Sequence, residues 1–125
     1  MGFATLQLTA IDCPQPLRLA EFYAAVLGGR IEGGADDDWV ELHLDDGGRL
    51  AFQRAEDLTP PEWPRADRNS QQLHLDLTVT DMDAAHAEVL KLGARELDVD
   101  DEAHPGFRAY ADPAGHPFCL CRARA

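Results

Sequence analysis

The feature that most constrains the fold is a pattern of elements that occurs twice, once on each side of a proline-rich connector. The connector, residues 56–72, is rich in proline and charge and shows no sustained hydrophobic period. On each side of it, the spacing of apolar residues predicts one strand, one amphipathic helix and three short strands. We therefore expect two βαβββ modules, residues 1–55 and 73–125, within a single domain of 125 residues.

The predicted elements follow from two hydrophobic periods. Alternation of apolar and polar residues predicts strands, and apolar residues three and four positions apart predict helices. In the first module we expect a helix over 17–27 and strands over 4–12, 30–32, 39–44 and 49–54. In the second module we expect a helix from the capping Asp81 to Leu92 and strands over 73–79, 95–99, 107–111 and 117–122.

The first strands of the two modules also resemble each other in sequence. Placing Leu6 over Leu75 aligns two leucines, a threonine and an aspartate, and sets Thr5 at the position of His74. Unrelated amphipathic strands often share leucines, so these four matches alone leave duplication and coincidence about equal. The shared order of elements favours an internal duplication.

Composition excludes two classes of partner. The chain has 11 Lys and Arg against 23 Asp and Glu, and its net charge of -12 repels phosphate backbones and anionic lipids. We therefore expect neither nucleic acid nor membrane as a partner. The sequence shows no apolar run of the roughly 20 residues that span a bilayer and no signal-peptide pattern at its start, so we expect a cytoplasmic protein. The three cysteines lack zinc-finger spacing and are expected to be free thiols.

Three segments together resemble the vicinal-oxygen-chelate superfamily, which includes glyoxalases, bleomycin-resistance proteins and extradiol dioxygenases. These segments are FYAAVLGG at the end of the first helix, HLDLTV in the second module and DPAGHPFCL in the final hairpin. The resemblance covers essentially the whole chain and indicates a glyoxalase-like domain. It implies an α+β fold in which two paired βαβββ modules, with curved mixed sheets, enclose a cleft and carry their helices outside. It further implies a small-molecule ligand or substrate in that cleft, and a homodimer.

In such an architecture, alternation divides each first strand into a helix face and a cleft face. A sheet with one solvated face would show the same alternation. The expected ligand-contacting residues on the two first strands are Thr5, Gln7, His74, Asp76 and Thr78. Further candidates on other strands are His43, Gln53, Tyr110 and Cys119. Tyr110 and Arg108 alternate with Phe107 and Ala109, and the sequence does not settle which pair faces the cleft.

The resemblance also implies a divalent metal in the metal-dependent members, held by His or Gln on the first strand of each module and by Glu on the last. Only His74 is a well-matched ligand. The other three positions carry Thr5, Cys119 and either Ala51 or Gln53. Catalytic metal sites normally use about three protein ligands, so we expect no metal and no other cofactor. A rearranged site with His43 and His74 is the alternative.

Two functions remain open. One is an enzyme resembling glyoxalase-like lyases, isomerases or dioxygenases with a degenerate metal site, in which His74 beside Asp76 acts as a general base. A hydrogen-bonding wall residue is the simpler interpretation of His74. The other is a metal-free, drug- or metabolite-sequestering protein of the bleomycin-resistance type that holds a cationic or aromatic compound. Trp63, in the connector, would cap the cleft, pack between modules or subunits, or lie in solvent.

Overall fold

Each half of the chain forms one helix and four strands in the order βαβββ, so the predicted α+β class and element order are confirmed. The computed structural model describes residues 2–3, 5–63, 65 and 67–123. The chain divides into two units, residues 1–58 and 59–125, each with one four-stranded mixed sheet. Among the described residues, no helix is long and apolar enough to cross a membrane. The cytoplasmic location stays a prediction.

The first module contains a sheet in the order β1-β4-β3-β2, with β1 parallel to β4 and the other pairs antiparallel. Its helix begins at Pro16, whose ring suits the first helical turn. Tyr23 on this helix stacks on Phe52 of the sheet, with ring centroids 5.9 Å apart. The elements are β1 (Thr9–Cys13), α1 (Pro16–Leu27), β2 (Arg30–Glu32), β3 (Trp39–His43) and β4 (Arg49–Arg54).

The second module repeats this topology, with the sheet order β5-β8-β7-β6 and a parallel pair formed by β5 and β8. Asp81 caps its helix as predicted, because its carboxylate accepts a hydrogen bond from Ala84 N at 3.1 Å. The helix ends shortly before Gly93, which has a φ of 111°. The elements are β5 (Leu75–Val79), α2 (Met82–Lys91), β6 (Arg95–Asp98), β7 (Phe107–Ala111) and β8 (Pro117–Arg122).

Strand β1 is shorter than predicted. The alternation suggested a strand from residue 4, whereas the observed strand begins at Thr9. The reason lies in its partner, since Thr9 pairs with Leu50 and β4 itself begins at Arg49. The predicted contacts Thr5 and Gln7 therefore lie before the strand, as exposed residues.

The face that β1 turns to the core also differs from the prediction. The sequence favoured Leu6, Leu8 and Ala10 as the apolar face, but Leu6 is 87% exposed. Ile11 and Cys13, on the opposite alternation, are buried. In β5 the predicted alternation is confirmed, with the odd-numbered residues more buried than the even-numbered ones, although Leu73 lies outside the strand and is exposed.

Matching backbone hydrogen bonds in the two modules show which of their residues are equivalent, and this equivalence differs from the one that the sequence match suggested. Cys13 O accepts from Ala55 N at 2.8 Å, and Val79 O accepts from Ala123 N at 3.0 Å, so Cys13 corresponds to Val79. A second matching pair of bonds joins Arg54 N to Asp38 O and Arg122 N to Gly106 O.

This register changes which residues are equivalent. The residue of the first module that corresponds to His74 is Leu8, not Thr5, because β1 and β5 align with each other from Cys13 and Val79. Cys119 corresponds to Ala51, one of the two residues considered from the sequence. The sequence alignment was wrong by three residues because both leucines that it matched in the first module, Leu6 and Leu8, lie before β1.

Gly29 is a position where the backbone permits only glycine. Its φ is 98°, and a Cβ there would lie 2.5 Å from the carbonyl oxygen of His43. Gly47 has a similar φ of 96° but nothing within 4 Å of a Cβ, so it provides a matched control. We expect Gly47→Ala to lower the free energy of unfolding by about 1 kcal/mol and Gly29→Ala by about 3 kcal/mol. Urea denaturation measures both, and equal losses would contradict the close contact with His43.

Candidate functional site

The pairing of β5 and β7 with β8 collects polar and sulfur side chains on one face of the second sheet. The parallel register places Asp76 beside Cys119, and the antiparallel register places Phe107 opposite Cys121. Directly paired residues point to the same face and lie close together. The apolar and aromatic residues that alternate with them, Tyr110, Phe118 and Leu120, are buried on the other face.

These side chains line a pocket of about 580 Å³ that lies entirely within the second unit. Its volume is within the roughly 300–1,000 Å³ typical of small-molecule sites. The connector contributes Trp63, which is half-buried. The lining residues with aromatic, charged or otherwise functional side chains are Trp63, His74, Asp76, Phe107, Cys119, Cys121 and Arg122.

The turn before β8 fixes the position of Cys119. Asp112 is 4% exposed, and its Oδ1 accepts hydrogen bonds from Ala114 N at 2.9 Å and His116 N at 3.0 Å. Gly115 completes the turn with a φ of 94°, which a side chain would strain. The DPAGHPFCL segment therefore forms a rigid hairpin that directs Cys119 into the pocket.

His74, Asp76 and Cys119 form a small polar cluster. Their ligand atoms all lie within 4.8 Å of one another, and His74 Nε2 lies 3.1 Å from Asp76 Oδ1. Burial raises the pKa of Cys119 to about 12, and the negative charge of Asp76 acts in the same direction. Cys119 is therefore a protonated thiol at neutral pH and lacks the thiolate that nucleophilic chemistry needs.

The donor set of this cluster does not fit the metal site that the resemblance implies. Metal-dependent members place a glutamate where this chain has Cys119, and hard divalent ions prefer oxygen ligands to sulfur. Cys119 would have to lose its proton beside the carboxylate of Asp76, which opposes that loss. His74 and Asp76 instead satisfy each other through their 3.1 Å contact.

Tyr110 does not contact the pocket, contrary to its inclusion among the candidate ligand-contacting residues. It is 0% exposed and stacks on Phe118, with ring centroids 5.5 Å apart. Its hydroxyl lies 2.7 Å from His86 Nδ1 on α2. The alternation on β7 thus turns Tyr110 to the helix and Phe107 to the pocket, which the sequence had left open.

The remaining candidates are spread over both units. Thr78 is exposed on the same strand face as Asp76 but is not among the pocket's lining residues. In the first unit, Gln53 is exposed at the end of β4 and lines a shallow polar groove with Trp39 and Arg54. The contact roles predicted for Thr5, Gln7 and Gln53 remain predictions.

His43 belongs to a second cluster, on β2 and β3. Its Nε2 lies 2.8 Å from Glu32 Oε2 and 2.9 Å from Glu41 Oε1. Trp39 Nε1 donates to the other oxygen of Glu41 at 2.9 Å. These hydrogen bonds, the one from Trp39 first, hold the pKa of Glu41 below its ordinary value. His43 therefore contacts the carboxylates of Glu32 and Glu41 at the surface of the first sheet.

The sequence pattern did not indicate that Cys121 and Arg122 line the pocket, and it left open whether Phe107 does. The available signal was the pairing of β7 with β8, which sets Phe107 opposite Cys121. This pairing can be predicted only when the register between the two strands is known, and the hydrophobic period of a single strand does not determine that register.

Comparison with known proteins finds one matching family model and several solved structures with a similar fold. A family model described as a glyoxalase-like domain matches residues 9–121. A protein from Agrobacterium tumefaciens superposes with a TM-score of 0.72 at 20% identity, covering 98% of this chain and 100% of that one. No curated protein matches the sequence significantly.

Two further similar structures are of proteins with a named function. A fosfomycin resistance protein from Mesorhizobium loti gives a TM-score of 0.68 at 17% identity, covering 98% of this chain and 94% of that one. The bleomycin-binding protein from Streptomyces verticillus, complexed with copper(II)-bleomycin, gives 0.56 at 20% identity, covering 99% and 100%. At such identities the structural matches establish the fold alone.

The family match runs from β1 to β8 and so includes both modules, the HLDLTV strand and the DPAGHPFCL hairpin. The structural matches extend over nearly the whole chain in each case. The chain belongs to the glyoxalase-like domain family.

Proposed function

We propose that the chain binds a small organic molecule in the pocket of its second module. The observation that carries this proposal is the convergence of Trp63, His74 and Asp76 on one pocket of about 580 Å³. Such a site combines apolar surface with a few polar groups, as small-molecule sites do. The functions of two structurally similar proteins, bleomycin binding and fosfomycin resistance, are compatible with this proposal.

In this proposal His74 and Asp76 orient the ligand through hydrogen bonds. Each has a partly exposed side chain, 36% for His74 and 62% for Asp76, so both have room to contact a bound molecule. Their mutual contact at 3.1 Å restrains the imidazole ring. Trp63 and Phe107 supply the apolar contact area.

Binding in this proposal needs no metal ion. Its support is the mismatch described above, since Cys119 offers a protonated thiol where metal-dependent relatives offer a carboxylate. The homodimer that the resemblance implies is part of the same proposal. Its support is that large apolar side chains are exposed in both units of the described structure, Phe3 and Leu6 in the first and Leu73 in the second.

A second candidate function is proton transfer, which the contact between His74 and Asp76 favours. A neutral imidazole held by a carboxylate is a suitable general base near pH 7. His74 would take a proton from a carbon of a bound oxygenated substrate and return it to a neighbouring atom, which is the proton balance of an isomerisation. Turnover that is lost in His74→Ala while binding is retained would establish this activity.

The binding proposal is tested by a thermal-shift screen of small aromatic and oxygenated compounds. We expect stabilisation that grows with ligand concentration. Trp63→Leu should weaken the affinity of a hit by about tenfold, because its aromatic contact is lost. Trp39→Leu, in the other module, is the matched control and should change the affinity less than about twofold.

Three results would count against the proposal: no compound stabilises the protein, both tryptophan variants behave alike, or a hit binds only after divalent metal is added. Elemental analysis of the purified protein, with and without a chelator wash, measures whether a metal ion is bound. One equivalent of metal that is lost in His74→Ala would overturn metal-free binding.

A further inference from the structure

We infer that the pocket of the second module selects a flat aromatic cation, a ring system that carries a protonated amine or an amidinium group. This inference rests on the proposed function, because it names the chemical class of the ligand in that same pocket. It follows from two independent properties of the lining, its aromatic walls and the distribution of its charges.

The aromatic walls favour a flat ring. Phe107 projects from β7 into the pocket, and the ring of His104 stacks on it at 4.7 Å with an interplanar angle of 16°. This stacking holds the Phe107 ring in one orientation. Trp63 contributes a second aromatic surface. Flat aromatic ligands gain more from such walls than aliphatic ligands of equal size.

The loop that carries Trp63 is held by its own backbone. Glu62 N donates to Asn69 O at 2.6 Å, and Arg65 N donates to Glu62 O at 2.8 Å. Asn69 takes a φ of 48°, the left-handed conformation that closes such a loop. Glu62 and Arg65, which lie close to Trp63 in the chain, thus each have a backbone hydrogen-bond partner within the connector.

The charges of the lining favour a cation. Asp76 and Arg122 are its charged residues. Arg122 is already engaged, since its Nε donates to Pro105 O at 2.7 Å and its guanidinium lies 3.4 Å from Asp101. Asp76 contacts the imidazole of His74, and its side chain is 62% exposed. The carboxylate of Asp76 is thus the charged group best placed to receive a donor from the ligand.

The net charge of the chain also favours a cationic ligand. The whole chain carries a net charge of -12, which attracts cations and repels anions. An anionic ligand would have to approach the carboxylate of Asp76 and compete with Asp101 for Arg122. A neutral ring would gain the aromatic contact but no charge-assisted hydrogen bond.

The test uses three compounds of nearly equal shape, 2-naphthamidinium, 2-naphthamide and 2-naphthoate, titrated into the protein by calorimetry at pH 7.5. We expect the cation to bind at least about tenfold more tightly than the neutral amide, and the anion to bind most weakly. The preference should shrink at high salt, because the pocket is partly open to solvent.

Two variants locate the preference. Asp76→Asn should reduce the advantage of the cation to less than about threefold while the affinity for the amide stays nearly unchanged. Glu88→Gln removes the same charge from an exposed position on α2 and should leave the preference intact. Equal loss in both variants would show an effect of overall charge and would overturn the role of Asp76.

The outcomes separate this inference from the proposed function. Equal binding of the three compounds, or tighter binding of the naphthoate, overturns the cation preference and leaves small-molecule binding intact. Binding of none of the three overturns the inference, and the proposed function then depends on the independent thermal-shift screen. Failure of that screen as well overturns both.

Discussion

Replacing Phe52 by alanine is expected to lower the free energy of unfolding by about 3–5 kcal/mol. Phe52 is 0% exposed on β4, and its ring stacks on Tyr23 of α1 at 5.9 Å. The substitution removes this stacking contact between helix and sheet and leaves a cavity that the close-packed surroundings fill only in part. Urea denaturation followed by circular dichroism measures the loss.

Phe3→Ala is the matched control, since Phe3 is 106% exposed in the described structure. The same chemical change there should alter stability by less than about 0.5 kcal/mol. A loss of about 3 kcal/mol for Phe3→Ala, or of less than 1 kcal/mol for Phe52→Ala, would contradict the placement of the first module's core.

The thiol of Cys119 is expected to react with iodoacetamide at pH 8 at least about a hundredfold more slowly in the native protein than in the urea-unfolded chain. Burial raises its pKa to about 12, and Asp76 reinforces the shift. The thiolate is the reactive form, so its fraction falls about tenfold for each unit by which the pKa rises above the pH. Below pH 10 the native rate should therefore increase about tenfold per pH unit.

Cys121→Ser isolates the signal, because Cys121 is on the same strand two residues away. Mass spectrometry of the labelled peptide then reports Cys119 alone. Asp76→Asn should accelerate the native reaction several-fold, since a neutral neighbour opposes the thiolate less. Equal rates in native and unfolded protein would show that Cys119 is exposed and would remove it from the buried floor of the pocket.

Local periods predicted most of the elements because they depend on nearest neighbours in the chain. The bounds of β2, β4, β7 and β8 agree with the structure, and the Asp81 cap is present. The predictions that were wrong concern features that depend on a residue or strand far away in the chain. β1 begins at Thr9, where its pairing with β4 begins, and Tyr110 faces α2, where its hydroxyl contacts His86.

The candidate site shows the same division. Alternation on β5 was enough to predict that His74 and Asp76 share one face of the strand. In the structure, His74 Nε2 lies 3.1 Å from Asp76 Oδ1. The pairing with β8, which brings Cys119 beside Asp76, could not be read from the strand itself. Trp63 lies in a segment without any period, so its place in the pocket depended on the fold of its loop.

The sequence by itself determined the element order, the duplicated βαβββ pattern and the polar face of β5, because helix and strand periods are properties of adjacent residues. Only the tertiary structure decided the register between strands, and with it the equivalence of Leu8 to His74 and the cluster of His74, Asp76 and Cys119. A shift of one residue in pairing exchanges the two faces of a strand, and the hydrogen bonds that prevent that shift join residues far apart in the chain.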